Sequence, residues 1–384
     1  MHTPIVIAGF KRSPFHFSNK GGLAATRSDD MAAAVVKDLV TASGINAADI
    51  EDVLMGCAFP EGEQGFNIGR IVVNLAGLPV SIAGATVNRF CGSSMTTIQM
   101  AAGYMQMGAG EAFICAGVES MTRVPMGGFN PMPNPELAKI YPDAYINMGT
   151  TAENLANQYK IGREQQDKFA LASHMKAAAA QKDGKLDAEI TKITTNGKTT
   201  DKDGCIRADS TLEGLNGLKP AFDVNGSVTA GTSSPFTDGA AAVLVTTEAY
   251  AKKHGLPIMA RIKAVAVAGC AADIMGIGPV PATQKALARA GLALKDIGLI
   301  ELNEAFAAQG LSVIKALGLD NAADMDKINI DGGAIAIGHP LGASGARITG
   351  KLAALMQREN IQYGLATMCI GGGQGTAIIL ERAS

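Results

Sequence analysis

The hydrophobic positions of this chain switch repeatedly between two periods. Ile5 to Ala8 is a short unbroken apolar run, as in a buried strand. Asp30 to Ala42 then carries apolar residues every three to four positions, a helix opened by Asp29 or Asp30. Asp52 to Met55 returns to strand, Asn67 to Leu75 to helix ahead of Leu78-Pro79, and Ala85 to Val87 reads as the end of a buried strand. Gly92, Ser93 and Ser94 supply turn and capping residues, and Met95, Ile98, Ala102 and Met105 step by three and four into a helix that stops near Gly108. Ala112 to Ala116 is strand again, left by Gly117 to Met121 as a loop. This alternation predicts an α/β fold.

From about Met121 to Thr237 the pattern loosens into polar and Pro/Gly-rich loops, interrupted by helices at Thr151 to Tyr159 and Arg163 to Gln181. Loops this long in a compact protein are more often functional lids than idle connectors. Regular texture resumes with strands at Ala240 to Thr246 and from Ala260, then a helix from Pro281 to Ala290 with proline in its first turn. Ile297 to Leu302 reads as strand, Ala305 to Leu317 as helix, Ile328 to Asp331 as strand and Ser344 to Gln357 as helix. Leu365 to Met368 and Thr376 to Glu381 form two last strands around Cys369-Ile-Gly-Gly-Gly-Gln-Gly375. The second half repeats the first in outline. Two such units with their Gly-rich elbows facing each other bring Cys91, His339 and Cys369 toward one cleft, at strand ends.

Composition narrows the class. A chain of 384 residues exceeds one ordinary core, so two domains or a large insertion are expected. The 33 basic and 35 acidic residues form no run of one sign long enough to suggest nucleic acid or an anionic membrane as partner. Six cysteines without a CxxC pair or nearby histidines suggest neither zinc nor disulfides, but reduced thiols in the cytoplasm. The apolar part of the N-terminus is too short for a signal peptide, and no apolar run reaches membrane-spanning length. The terminal Glu-Arg-Ala-Ser384 is not the peroxisomal tripeptide.

Chemistry concentrates at three places. Cys91 sits at or just before a helix N-terminus, where free N–H groups and the helix dipole favour a thiolate; a small buried hydrophobe is the competing reading. His339, between Gly338 and Pro340, has little freedom, as a base held near a thiol requires. Of the other histidines, His2 and His16 lie near the N-terminus, while His174 and His254 fall in polar helical surroundings and read as surface residues. Cys369 stands on a sharp turn before three glycines whose N–H groups suit an oxyanion hole; alone it would read as a structural thiol. Asn303 ends a strand, either as a helix cap or as an amide that positions a water or stabilises an oxyanion.

Val87-Asn-Arg-Phe-Cys-Gly-Ser-Ser94, Ala116-Gly-Val-Glu-Ser-Met121, Asn303-Glu-Ala-Phe306, Gly338-His-Pro-Leu-Gly-Ala-Ser-Gly-Ala-Arg347 and Cys369-Ile-Gly-Gly-Gly-Gln-Gly375 resemble, in order, the signature blocks of the thiolase family. The blocks at 148–154, 163–169 and 228–239 are similar too. The resemblance implies two similar βαβαβαββ halves packed as αβαβα layers, with an inserted loop domain that embraces coenzyme A. The halves would comprise 1–120 with 238–257, and 258–384, around an insertion at 121–237.

It implies cleavage of a 3-ketoacyl-CoA by CoA, with CoA as co-substrate and neither metal nor permanently bound cofactor. Carried over by resemblance, Cys91 is the nucleophile, His339 its base and Cys369 the second acid/base. Asn303, through a water, and His339 hold the enolate oxygen, while the N–H groups of Cys91 and Gly371 hold the tetrahedral oxyanion. Arg207, Phe222, Ala230, Ser234 and Phe306 resemble the nucleotide and pantetheine contacts, with Met148 on the acyl side; for Arg207 an exposed, solvated side chain is an equal reading. A homodimer or dimer of dimers is implied, as is partnership with a hydratase/dehydrogenase subunit.

Gly-Ser-Ser after Cys91 and Gly231-Thr-Ser-Ser resemble the thiolase subunit of fatty-acid oxidation complexes. Asn147 before Met148, where a biosynthetic relative has histidine, counts against an acetoacetyl-CoA-specific enzyme. The alternatives are an acetoacetyl-CoA or 3-oxoadipyl-CoA thiolase and, from another class, a non-catalytic acyl-CoA or lipid-binding relative. A ketoacyl synthase would use a second histidine where Cys369 stands.

Overall fold

Strand β1 (Ile5–Arg12) and the two-residue β2 (His16–Phe17) open the chain in the computed structural model, which describes residues 3–383; His2 and Ser384 lie outside the described residues. β3 (Asp52–Gly56), β4 (Ala83–Val87) and β5 (Ala112–Ser120) alternate with helices Ser28–Ser43, Ile68–Leu75 and Ser93–Gln106. β6 (Ile193–Thr195) and β7 (Lys198–Thr200) form a separate ribbon, and β8 (Thr237–Thr247) returns the chain to the main sheet. β9 (Ala260–Gly269), β10 (Leu299–Leu302), β11 (Tyr363–Ile370) and β12 (Gln374–Glu381) complete it, with helices Pro279–Ala290, Ala307–Leu317 and Leu341–Arg358.

The strand order is β4-β3-β5-β8-β1 followed by β9-β12-β11-β10. The halves join where β1 and β9 pair antiparallel, Val6 with Arg261 and Ile7 with Ala260. Numbered within its half, each run reads third, second, fourth, fifth, first, if Ile328, bridged in parallel to Ile300, takes the third place of the second half. The repeat suggested by the sequence is therefore a repeat of topology.

Five layers result. Helices Ser28–Ser43 and Ile68–Leu75 bury Val36, Leu39 and Val72 on one outer face, and Pro279–Ala290 with Ala307–Leu317 bury Ala286 and Val313 on the other. Between the half-sheets lie Ser93–Gln106 and Leu341–Arg358, the latter buried without a break from Leu341 to Ala353. Small residues permit this density: a Cβ on Gly345 would lie 2.3 Å from the Met95 backbone nitrogen, and one on Gly342 2.6 Å from the Val118 carbonyl oxygen. The Ala346 N–H donates to Ser94 Oγ at 2.8 Å, fixing the register of the two central helices. Their N-terminal ends, and with them Cys91 and His339, are thereby held side by side.

Several elements depart from the sequence pattern. Gly117 to Ser120 is strand rather than loop, because β8 continues the ladder past Gly117 to pair Glu119 with Gly239. β4 is half-exposed rather than buried, since it is the last strand of the order. Ile328 to Asp331 forms only a bridge. Asn329 is left-handed there (φ 47°), and its amide replaces the ladder by accepting from the Leu302 N–H at 2.9 Å and donating to the Leu302 carbonyl at 2.8 Å. Helix Ser28–Ser43 begins after Arg27, with Asp29 and Asp30 in its first turn rather than at the cap. Among the described residues, no helix is long and apolar enough to cross a membrane and no group of three His, Cys, Asp or Glu is placed to hold a metal ion.

Candidate active site

Cys91 lies in a one-turn helix, Phe90–Gly92, that leads from β4 into Ser93–Gln106. Phe90 before it has φ 43°, a conformation that bulky L-residues rarely adopt and that costs about 1–3 kcal/mol. Its neighbours enforce it: Asn88 Oδ1 accepts from the Phe90 N–H at 2.8 Å, and Ser93 Oγ accepts from the Arg89 N–H at 2.9 Å while donating to the Phe90 carbonyl at 2.6 Å. This strained turn presents the thiol to a cavity.

His339 is reached through Gly338, whose φ of 113° excludes other residues and whose Cβ would lie 2.7 Å from the Thr237 side chain. The His339 N–H donates to Thr237 Oγ1 at 3.1 Å. His339 Nδ1 lies 2.5 Å from Ser344 Oγ, and that hydroxyl spends its one hydrogen on the Pro340 carbonyl at 3.0 Å. The contact is thus a donation from Nδ1–H, which leaves the lone pair on Nε2, where Asn303 Nδ2 approaches to 3.4 Å. Asn303 Oδ1 is buried without a partner. Ser344 carries no signal of its own in the sequence, since a serine one turn into a helix is ordinary; its phase relative to His339 is visible only in three dimensions.

Cys369 lies in β11, paired with Gly375, and not on the turn itself, which is Gly371 to Gly373. The ladder runs past it because Ile370 still pairs with Gln374. The Gly371 N–H donates to the Cys91 thiol. Cys91, His339 and Cys369 all line one cavity of about 120 Å³, together with Met148, Phe222, Ser234 and Phe306. Met121, Met126 and Met275, which the sequence did not single out, complete an apolar and adaptable wall. Arg207 and Ala230 face a neighbouring recess that shares Ser233 and Pro235 with this cavity. Arg207 lies over the Phe17 ring, 5.2 Å from its centre, and its N–H donates to His174 Nδ1 at 3.2 Å. His174 is buried, contrary to the surface placement expected from its polar helix.

The electrostatics correct another expectation. Burial pushes the Cys91 thiol up to about 11, outweighing the N–H groups of Gly371 and of Cys91 itself that favour the thiolate. Burial also takes the His339 imidazole down to about 3, helped by the positive charge of Arg347. Cys369 is pushed well above the ordinary thiol range by burial and by Cys91. The resting set is therefore neutral: two thiols and an imidazole whose free lone pair can take a proton. The helix end does not ionise Cys91 by itself, because desolvation of the charge is the larger effect.

Glu119 connects the surrounding loops. Its buried carboxylate accepts from the Ala58 N–H at 2.8 Å, the Gly342 N–H at 2.9 Å and Gln64 Nε2 at 2.9 Å, tying the first half to the helix that follows His339. Glu304 does likewise with Ser173 Oγ at 2.7 Å, Asn329 Nδ2 at 2.8 Å and the Ile335 N–H at 3.1 Å.

Family models agree with this architecture. The thiolase N-terminal domain matches residues 5–249 and the thiolase C-terminal domain matches residues 256–382. A 3-ketoacyl-CoA thiolase of Pseudoalteromonas translucida is 48% identical over 100% of this chain and 99% of its own length. One of Shewanella frigidimarina is 50% identical over 98% and 99%. Among solved structures, human mitochondrial 3-ketoacyl-CoA thiolase in complex with CoA superposes with a TM-score of 0.91 at 36% identity, covering 100% of this chain and 98% of that one. The Bacillus anthracis acetyl-CoA acetyltransferase gives 0.91 at 37%, covering 100% and 99%. With both of its halves matched and relatives near half identity along its whole length, the chain belongs to the thiolase family.

Proposed function

We propose that this protein is an acyltransferase that cleaves 3-ketoacyl-CoA with CoA, giving acetyl-CoA and an acyl-CoA two carbons shorter, as in fatty-acid β-oxidation. The observation that carries the reading is the placement of Cys91, His339 and Cys369 on one apolar cavity, with the Gly371 N–H directed at the Cys91 sulfur. Cys91 Sγ attacks the 3-keto carbon while its proton passes to His339 Nε2. The N–H groups of Cys91 and Gly371 hold the oxyanion, an arrangement in which each donor is worth roughly 3–4 kcal/mol of barrier. The bond between C2 and C3 then breaks, and its electrons spread onto the thioester oxygen. His339, now protonated, and Asn303 stabilise that enolate until Cys369 gives a proton to its carbon. In the second half Cys369 takes the proton of incoming CoA, whose sulfur displaces the acyl group from Cys91.

CoA would lie along Phe222, Ser234 and Phe306, with Met148 on the acyl side and Arg207 and Ala230 in the adjoining recess, under the segment 121–237. The wall of four methionines favours acyl chains of varied length over a C4-only substrate. Steady-state rates on C4, longer and dicarboxylic 3-ketoacyl-CoAs test this, and activity confined to C4 sinks the broad-chain reading in favour of an acetoacetyl-CoA thiolase. Mass spectrometry of the quenched enzyme should find the acyl group on Cys91; its absence there removes the mechanism. We also propose a homodimer, supported by the open edge at β4 and by exposed Phe66 and Val80 in the connections around the helix that covers it. Sedimentation equilibrium at a monomer mass would refute it.

A further inference from the structure

Behind His339 stands a second polar rung. Strand alternation places Glu301 and Asn303 on one face at the end of β10, toward the central helices. Asn303 meets His339, and Glu301 Oε2 accepts from Arg347 Nη1 at 2.7 Å. His339 and Arg347 belong to one continuous loop and helix, so the two rungs clamp the same segment to the same strand. The ion pair is sealed: the Arg347 side chain is 3% exposed and that of Glu301 1%, and Glu301 Oε1 has no partner. The other nearby charges are paired or hydrogen-bonded: the buried Glu304 carboxyl, which also lies in the field of Arg347, accepts from Ser173, Asn329 and the Ile335 N–H. Lys351 lies between Glu189 at 3.0 Å and Asp331 at 2.8 Å, Asp331 also pairs with Arg358, and Glu189 with Arg12. Arg347 is the cation whose field reaches the imidazole, and Glu301 is its only salt-bridge partner among the described residues.

We propose that Glu301 and Arg347 form a charge-balancing positioning pair for His339, in which Glu301 offsets the Arg347 guanidinium and so permits the imidazolium formed when Cys91 gives up its proton. The inference rests on the proposed function for the role of His339. The step is one proton transfer: the Cys91 S–H bond breaks, the His339 Nε2–H bond forms, and no co-reactant is needed. Without Glu301, a buried cation faces a second cation at the moment of activation. Without Arg347, the buried Glu301 takes a proton and becomes neutral, and the opposition to the imidazolium disappears. Removing either member thus acts in opposite directions, whereas a merely structural pair would act in one. Burial pushes the Glu301 carboxyl up to about 7, so mild acid should mimic its loss in the wild-type enzyme.

The test is the single-turnover acylation of Cys91 by substrate in the full chain at pH 8, where Glu301 is ionised, read by mass spectrometry of the quenched enzyme. Glu301→Gln should slow acylation about tenfold, because the imidazolium formed on His339 then meets an uncompensated guanidinium in a partly screened interior. Arg347→Met should speed acylation, and the double variant should return to within about threefold of wild type. Changes in the same direction for both single variants, or an unchanged Glu301→Gln rate in a folded chain, overturn the proposal. If only Arg347→Met folds, a slower or unchanged rate overturns it equally. Failure of wild-type Cys91 to become acylated would instead strike the proposed function, so the two failures are distinguishable.

Discussion

Ser344 decides which nitrogen of His339 carries the proton. Its hydroxyl is committed to the Pro340 carbonyl, so it can only accept from Nδ1–H, and Nε2 is left with the free lone pair. Ser344→Ala strands a buried N–H and frees the ring to adopt the other tautomer. The expected result is a fall in kcat of about 10- to 100-fold with KM little changed, checked by steady-state kinetics of thiolysis. Cys91→Ser should lower kcat by at least about a thousandfold and abolish the covalent acyl adduct, because an alkoxide is far harder to generate beside a weakly basic imidazole than a thiolate. At this scale the residue types were legible: Cys91, His339 and Cys369 stand in unusual Gly- and Pro-rich contexts. Their ionisation was not legible, because helix position suggests an easily ionised Cys91, whereas burial, a property of all five layers at once, pushes it to about 11.

Elements are fixed partly by period and partly by what they pair with. The central helices were readable from their spacing, and the start of the second at Leu341 instead of Ser344 follows from Pro340 immediately before it. β5 outran its apolar run, since β8 goes on pairing through Ser120 after β3 stops at Gly117, where the sequence reads as a loop. Ile328 fell short because Asn329 bonds Leu302 through its side chain. Asn329→Gly separates the two uses of that residue. If only its left-handed backbone mattered, glycine would be neutral. Loss of its bonds to the Leu302 backbone and Glu304 should instead cost about 2–3 kcal/mol, measurable as a lower urea midpoint.

For the whole molecule, burial makes two histidines acid-sensitive. His339 is held down to about 3 by burial and Arg347, and His174 to about 4 by burial and Arg207. Unfolded imidazoles take up protons below their ordinary 6.5, while these native ones do not until pH 4 or lower. The unfolded state therefore binds more protons in that window, and stability falls as pH falls, by up to roughly 1.4 kcal/mol per pH unit for each histidine. Urea unfolding at pH 7.5 and 5.0 should show this loss, and His174→Gln, which keeps a side-chain acceptor for the Arg207 N–H, should lose measurably less than wild type. The polar helical pattern around His174 gave no hint of its burial, because what covers it comes from the distant segment that carries Cys205 and Arg207.

Local order along the chain was enough to determine the alternation of strands and helices, to suggest the doubling of the α/β unit and to single out Cys91, His339 and Cys369 by their Gly- and Pro-rich contexts. Period, turn chemistry and steric freedom are properties of neighbouring residues. Only the tertiary structure decided that Cys91 rests as a thiol, that Ser344 selects the His339 tautomer, that Glu301 answers Arg347, and that Arg207 faces a recess beside the cavity. Each of these depends on distance and desolvation between groups far apart in sequence, which no local pattern encodes.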